Sequence, residues 1–128
     1  MIAVDTSALM AIILGEPGCE ACMDVLEAHT EVLISAGTLA EALIVAGRRN
    51  VGSEMAALVE DLGLTVVALS PSASRRVAGA YARWGRGVHP AALNFGDCFA
   101  YALAEEHRCA LLYTGDEFAR TDLASAHS

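Results

Sequence analysis

Four short apolar runs recur along the chain: Ile2-Ala3-Val4, Val32-Leu33-Ile34, Thr65 to Leu69 and Ala110 to Tyr113. Two stretches of helical character separate each run from the next. Runs this short and this uniformly apolar do not suit a sheet wetted on one face. They suit strands buried on both faces and joined by helical crossovers, which make neighbouring strands parallel. The pattern predicts an α/β three-layer sandwich, with a short, mainly parallel central sheet and helices on both faces. Between the strands, helices are expected over Ala8 to Leu14, Cys19 to His29, Ser35 to Arg49, Gly52 to Leu62, Ser70 to Trp84 and Gly96 to His107. Gly85 to Pro90 reads as a loop, and a short helix follows the break at Gly115. Thr6-Ser7 can cap the first helix, and Leu39, Leu43 and Ala46 share one face of the third. No repeat, linker or low-complexity tract interrupts the pattern, so residues 1–128 are expected to form one domain.

Hydrophobic residues make up 55% of the chain and aromatics only 5%. Apolar surface is therefore ample to offset ordering entropy, and the core must come from Ala, Leu, Val and Ile. The uncharged stretch from Thr6 to Gly15 is far shorter than the ~18–20 residues of a membrane span. No Arg or Lys precedes Arg48, so a secretory leader is not expected, and the reading is a soluble cytoplasmic protein. Cys19 and Cys22 form a C-x-x-C after Pro17-Gly18, in the wrong context for a thioredoxin-type pair. With Cys98 and Cys109 they read as small thiols in a reducing compartment.

Sixteen acids against eight bases give a net charge of −8, and all eight bases are Arg. Without a lysine the chain can hold no Walker-type P-loop and no Schiff base. The acidic balance also argues against an indiscriminate phosphate binder. The charge is unevenly placed, however. Between Leu62 and Gly96 there is no acid, yet Arg75, Arg76, Arg83 and Arg86 lie there. That band is either a docking surface for an anionic polymer or acidic partner, or a helix face that happens to use Arg.

In open parallel sheets, ligands sit beyond the carboxyl ends of the strands. Asp5 directly follows the first run, and Asp116 stands just beyond the last, after Tyr113-Thr114-Gly115. Glu41 lies mid-helix with Gly37, Thr38, Ile44 and Val45 at the neighbouring helical offsets. Asp97 lies in the first turn of its helix with Ala100 and Tyr101 on its face. An ionised acid on an apolar helix face carries a desolvation penalty unless a counter-charge arrives, and no adjacent base supplies one. A divalent cation would. Four carboxylates without a histidine signature select Mg2+ or Mn2+ over zinc. Two such ions ~3.5–4 Å apart align water and leaving group for attack on a phosphodiester. The plainer alternative leaves Glu41 in solvent and makes Asp97 a helix anchor.

Val4-Asp5-Thr6-Ser7-Ala8-Leu9, Glu41 within a helix, Leu93-Asn94-Phe95-Gly96-Asp97-Cys98-Phe99-Ala100 and Leu111-Leu112-Tyr113-Thr114-Gly115-Asp116, in that order and spacing, resemble the PIN-domain ribonucleases. More narrowly, they resemble the VapC toxins of type II toxin–antitoxin systems. The resemblance covers essentially the whole chain. It implies a metal-dependent endoribonuclease in which Asp5, Glu41 and Asp97 hold Mg2+ or Mn2+ and Asp116 is the fourth acid. Thr6, Ser7, Asn94 and Thr114 would orient the carboxylates or water. It further implies a homodimer, an RNA substrate and a VapB-type antitoxin whose C-terminal segment fills a groove. The first two helices, with Leu9, Ile12, Ile13 and Leu26, are candidates for that groove.

Near Phe118, Glu117 and Asp122 compete with Asp116. Asp116 is favoured because it most directly follows the strand, Glu117 reads as solvated and Asp122 as a cap. Tyr81 and Trp84 read as packing residues before base-stacking ones, and His89 as structural or close to RNA. An aspartyl phosphatase or receiver module lacks its lysine here. A PIN-like RNA- or protein-binding module without turnover is the alternative to the enzyme.

Overall fold

The computed structural model of the chain describes residues 1–127. The apolar runs are strands β1 (Ile2–Val4), β2 (Val32–Ser35), β3 (Thr65–Val67) and β4 (Ala110–Leu112). They form one sheet in the order β3-β2-β1-β4, every pair parallel. All residues of the two central strands are buried, as strands covered on both faces must be. The edge strand β3 exposes Thr65 and Val66. It stops at Val67 and does not reach Leu69, because its last partner, Ser35, is where β2 turns into a helix. Beside β4, the C-terminal segment closes the other edge. Leu111 N–H donates to Ala124 O at 3.0 Å, and Ala126 N–H donates to Leu111 O at 2.9 Å.

Among the described residues, six helices and a 3-10 turn accompany the sheet: α1 (Thr6–Leu14), α2 (Cys19–Ala28), α3 (Ala36–Arg48), α4 (Gly52–Asp61), α5 (Pro71–Trp84), α6 (Phe95–His107) and the turn Phe118–Arg120. Alternate strand residues face opposite layers, as period-two side chains require. Ile2, Val4, Val32 and Ile34 pack with α1 to α4, whereas Ala3, Leu33 and Leu111 pack with α5 and α6. The expected three-layer α/β sandwich is what forms. All four cysteines are free, with Cys22 and Cys98 buried. Among the described residues no helix is long and apolar enough to cross a membrane.

Three local expectations are corrected. The cap of α1 is Asp5, whose carboxylate accepts from Ser7 N–H at 3.1 Å, so the helix begins at Thr6 and not at Ala8. Asn94 caps α6, which starts at Phe95. In α3 the buried positions are Thr38, Ala42 and Ala46, and Leu43 is 40% exposed. Ala46 is buried as expected, and the other two buried positions each stand one residue before the leucines.

Candidate active site

β1 and β4 end side by side, and the backbone there is tied together. Asp5 N–H donates to Leu112 O at 3.0 Å, and Thr114 N–H donates to Ser7 Oγ at 3.0 Å. This fixes Asp5 at the carboxyl edge of the sheet, where it is only 4% exposed. Its Oδ2 takes the Ser7 N–H, while Oδ1 is buried and has no hydrogen-bond partner among the described residues. Burial pushes the Asp5 carboxyl up to about 7. The Ser7 bonds oppose that rise, and the negative charges of Asp97 and Glu41 add to it.

Glu41 reaches the same place from α3. Its Oε1 accepts the Thr6 hydroxyl at 2.7 Å, and its Oε2 lies against Gly96 so closely that a Cβ there would overlap it. Gly96 is thus required by the close approach of α3 to the start of α6. Asp97 sits one residue on, half-buried, in a reciprocal capping box. Its Oδ2 accepts Asn94 N–H at 3.0 Å, and its own N–H donates to Asn94 Oδ1 at 2.9 Å. Burial raises the Asp97 carboxyl above its ordinary range. The Asn94 bond opposes this, Glu117 and Glu41 raise it further, and Arg86 lowers it. Asp97 is therefore both a helix anchor and a member of the acid group.

Three acids from three elements, far apart in sequence, lie within one another's field. They do not close round a common point: among the described residues no three His, Cys, Asp or Glu side chains are spaced to hold an ion. Glu41 is drawn to Thr6, and Asp97 to Asn94. Two observations nevertheless fit a divalent cation. The buried Oδ1 of Asp5 lacks a donor, and the donor set is all carboxylate oxygen, the chemistry of Mg2+ and Mn2+.

The other sequence-named residues divide. Asp116 is exposed on the turn after Gly115, whose φ is +87°. Glu117, read as solvated, is indeed exposed, but it folds back over Gly115 and its charge bears on Asp97. Asp122 is not a cap; it accepts the Tyr101 hydroxyl at 2.6 Å and pairs with Arg83 at 3.5 Å. Trp84 is buried between His89 and Tyr101 with the Arg83 guanidinium over its ring, so it packs. His89 Nδ1 accepts Ala91 N–H at 3.0 Å and staples its loop. Leu9 and Leu26 are core residues and leave no groove. Ile12 instead lines a cleft of about 320 Å3 with Cys19, Glu20, Met23 and Asp24.

The arginine band is split by pairing, since Arg76 meets Glu106 at 4.0 Å and Arg83 meets Asp122. Arg86 is the counter-charge that sequence reasoning missed at Asp97. Its N–H donates to Leu93 O at 3.0 Å, which holds residue 86 beside the Asn94 cap. No sequence signal reports that closure. Phe95, 70% exposed, was also overlooked.

A family model described as PIN domain matches residues 2–123. Ribonuclease VapC42 of Mycobacterium tuberculosis is 38% identical over 127 residues, covering 96% of this chain and 97% of that protein. Ribonuclease VapC of Mycolicibacterium smegmatis is 35% identical, covering 97% and 98%. The crystal structure of Mycobacterium tuberculosis VapC20, described as a sarcin-ricin loop cleaving toxin, is similar with a TM-score of 0.80 at 15% identity over 100% of both chains. VapBC2 from Rickettsia felis, bound to a DNA fragment from its promoter, is similar at 0.70 with 15% identity, covering 98% and 96%. At such identities these structures speak for the fold.

Proposed function

The chain belongs to the PIN-domain family, and on that premise we propose that it is a VapC-type endoribonuclease, the toxin of a type II toxin–antitoxin pair. The observation that carries the reading is that Asp5, Glu41 and Asp97 lie within one another's electrostatic field at the carboxyl edge of the sheet, with one buried carboxylate oxygen unpartnered among the described residues. Asp5, Glu41 and Asp97 would hold Mg2+ or Mn2+, and the turn at Asp116 and Glu117 would supply the fourth acid. When bound, the metal supplies Lewis acidity that lowers the pKa of water and offsets phosphate charge. The chain's own residues do the positioning. Ser7 N–H fixes Asp5, the Thr6 hydroxyl fixes Glu41, and Asn94 fixes Asp97. Arg86, the cation that bears on Asp97, binds a phosphate of the incoming RNA. The acidic cleft on α1 and α2 suits a basic antitoxin segment, and a homodimer is the expected assembly.

The test is cleavage of single-stranded RNA with Mg2+ or Mn2+ present. Loss of cleavage in chelator and in Asp5→Asn is expected, and full activity of that variant removes Asp5 from the mechanism. Comparing Glu117→Gln with Asp116→Asn identifies the fourth acid. We expect the former to weaken Mn2+ binding more, by roughly tenfold in calorimetry. The reverse order assigns the position to Asp116.

A further inference from the structure

Beside the acid group, α3 and α6 leave an apolar cleft of about 320 Å3, walled by Gly37, Ala40 and Ile44 of one helix and Phe95 and Phe99 of the other, with Glu41 in its lining. Its geometry is built. Gly37 has no side chain because the Phe99 ring occupies the space where a Cβ would stand. Phe99, so seated, meets Phe95 edge to face, with centroids 4.8 Å apart and planes at 72°. Phe95 is therefore propped by a neighbouring ring, yet it is 70% exposed, and Ile44 opposite is 61% exposed. Large apolar side chains this exposed, sharing a wall with an acid site, call for a partner.

The cleft carries one charge, the Glu41 carboxylate, which also belongs to the acid group. A nucleic acid chain has the matching asymmetry. Its phosphates need the cation side of the site, near Arg86 and a bound metal, whereas its bases are flat and uncharged. Because Glu41 and Gly96 line both regions, a phosphate at the acids leaves the neighbouring base within reach of Phe95. Base–aromatic stacking is how single strands are held without reading sequence.

Resting on the ribonuclease reading, we propose that this cleft is a nucleobase subsite in which the base next to the scissile phosphate stacks on Phe95. Phe95 is then a substrate-positioning residue, and the cleft requires an unpaired base and excludes duplex RNA.

Two measurements test this. In cleavage assays with a single-stranded oligonucleotide, Phe95→Ala is expected to lower kcat/KM by roughly tenfold, chiefly through KM, while Phe95→Tyr retains activity. On a substrate abasic next to the cleaved bond the two variants and the wild type should converge. Separately, in chelator, the fluorescence of Phe95→Trp should be quenched by the oligonucleotide and not by its abasic counterpart. An unchanged Phe95→Ala, or an equal loss on both substrates, overturns the subsite and leaves the ribonuclease reading standing. Quenching without any cleavage by the wild type keeps the subsite and overturns the ribonuclease reading. If Phe95→Ala loses activity only as sedimentation shows it changing oligomeric state, the cleft is an interface between copies and the subsite is overturned.

Discussion

At Asp5 one side chain caps a helix and also carries a buried oxygen with no partner among the described residues. A carboxyl raised from 3.8 to about 7 binds its proton more tightly in the folded chain than in the unfolded one. Between those two values the native state holds more protons, so stability falls as pH rises; below the window the penalty is absent, and above it the penalty is complete. Asp97 is shifted in the same direction. Metal-free protein is therefore expected to melt higher at about pH 5 than at about pH 8. Asp5→Asn keeps the cap, removes the charge, and should raise the melting temperature at the higher pH by on the order of 5 °C. Calorimetry in chelator checks this, and a wild-type melting point that does not fall across that range would mean Asp5 titrates normally.

Between α3 and α6 the spacing is set by two glycines, each facing a side chain of the other helix. Gly37 admits Phe99, and Gly96 admits Glu41. Alanine improves helix propensity at either position, by up to ~1 kcal/mol, but crowding in a packed seam costs about 1–3 kcal/mol. Gly96→Ala should consequently displace the Glu41 carboxylate and lower kcat/KM at least about tenfold. The fold should survive with a modest loss of melting temperature. Wild-type kinetics in that variant would show that the Glu41 carboxylate clears residue 96 without leaving its working position.

Over the whole molecule, a net charge of −8 must be reconciled with a polyanionic substrate. Local placement does this. Arg76 and Arg83 serve α6 and the C-terminal segment through Glu106 and Asp122, whereas Arg86 is placed at the acid group. Charge reversal at Arg86 should weaken RNA binding by roughly tenfold and flatten its salt dependence, and reversal at the exposed Arg75 should do much less. Fluorescence anisotropy across a salt series separates the two. Equal effects would mean that the band acts as a diffuse field.

The strand–helix alternation settled the parallel sheet and its two covered faces, because burial on both sides leaves a uniform apolar run that composition alone can show. Asp5 was legible for a related reason: a ligand site at a strand's carboxyl end is a property of the topology. Glu41 and Asp97 stood out only as charges lacking a local partner, and the order of the family-like motifs joined them. The partners themselves were not legible. Arg86 bears on Asp97 from a loop closed on Leu93, Glu117 folds back over Gly115, and Phe95 is left exposed beside a ring lodged against Gly37. Local periodicity can specify which way a side chain points. Which groups then meet depends on how helices far apart in sequence pack on the sheet, and that was decided only by the folded chain.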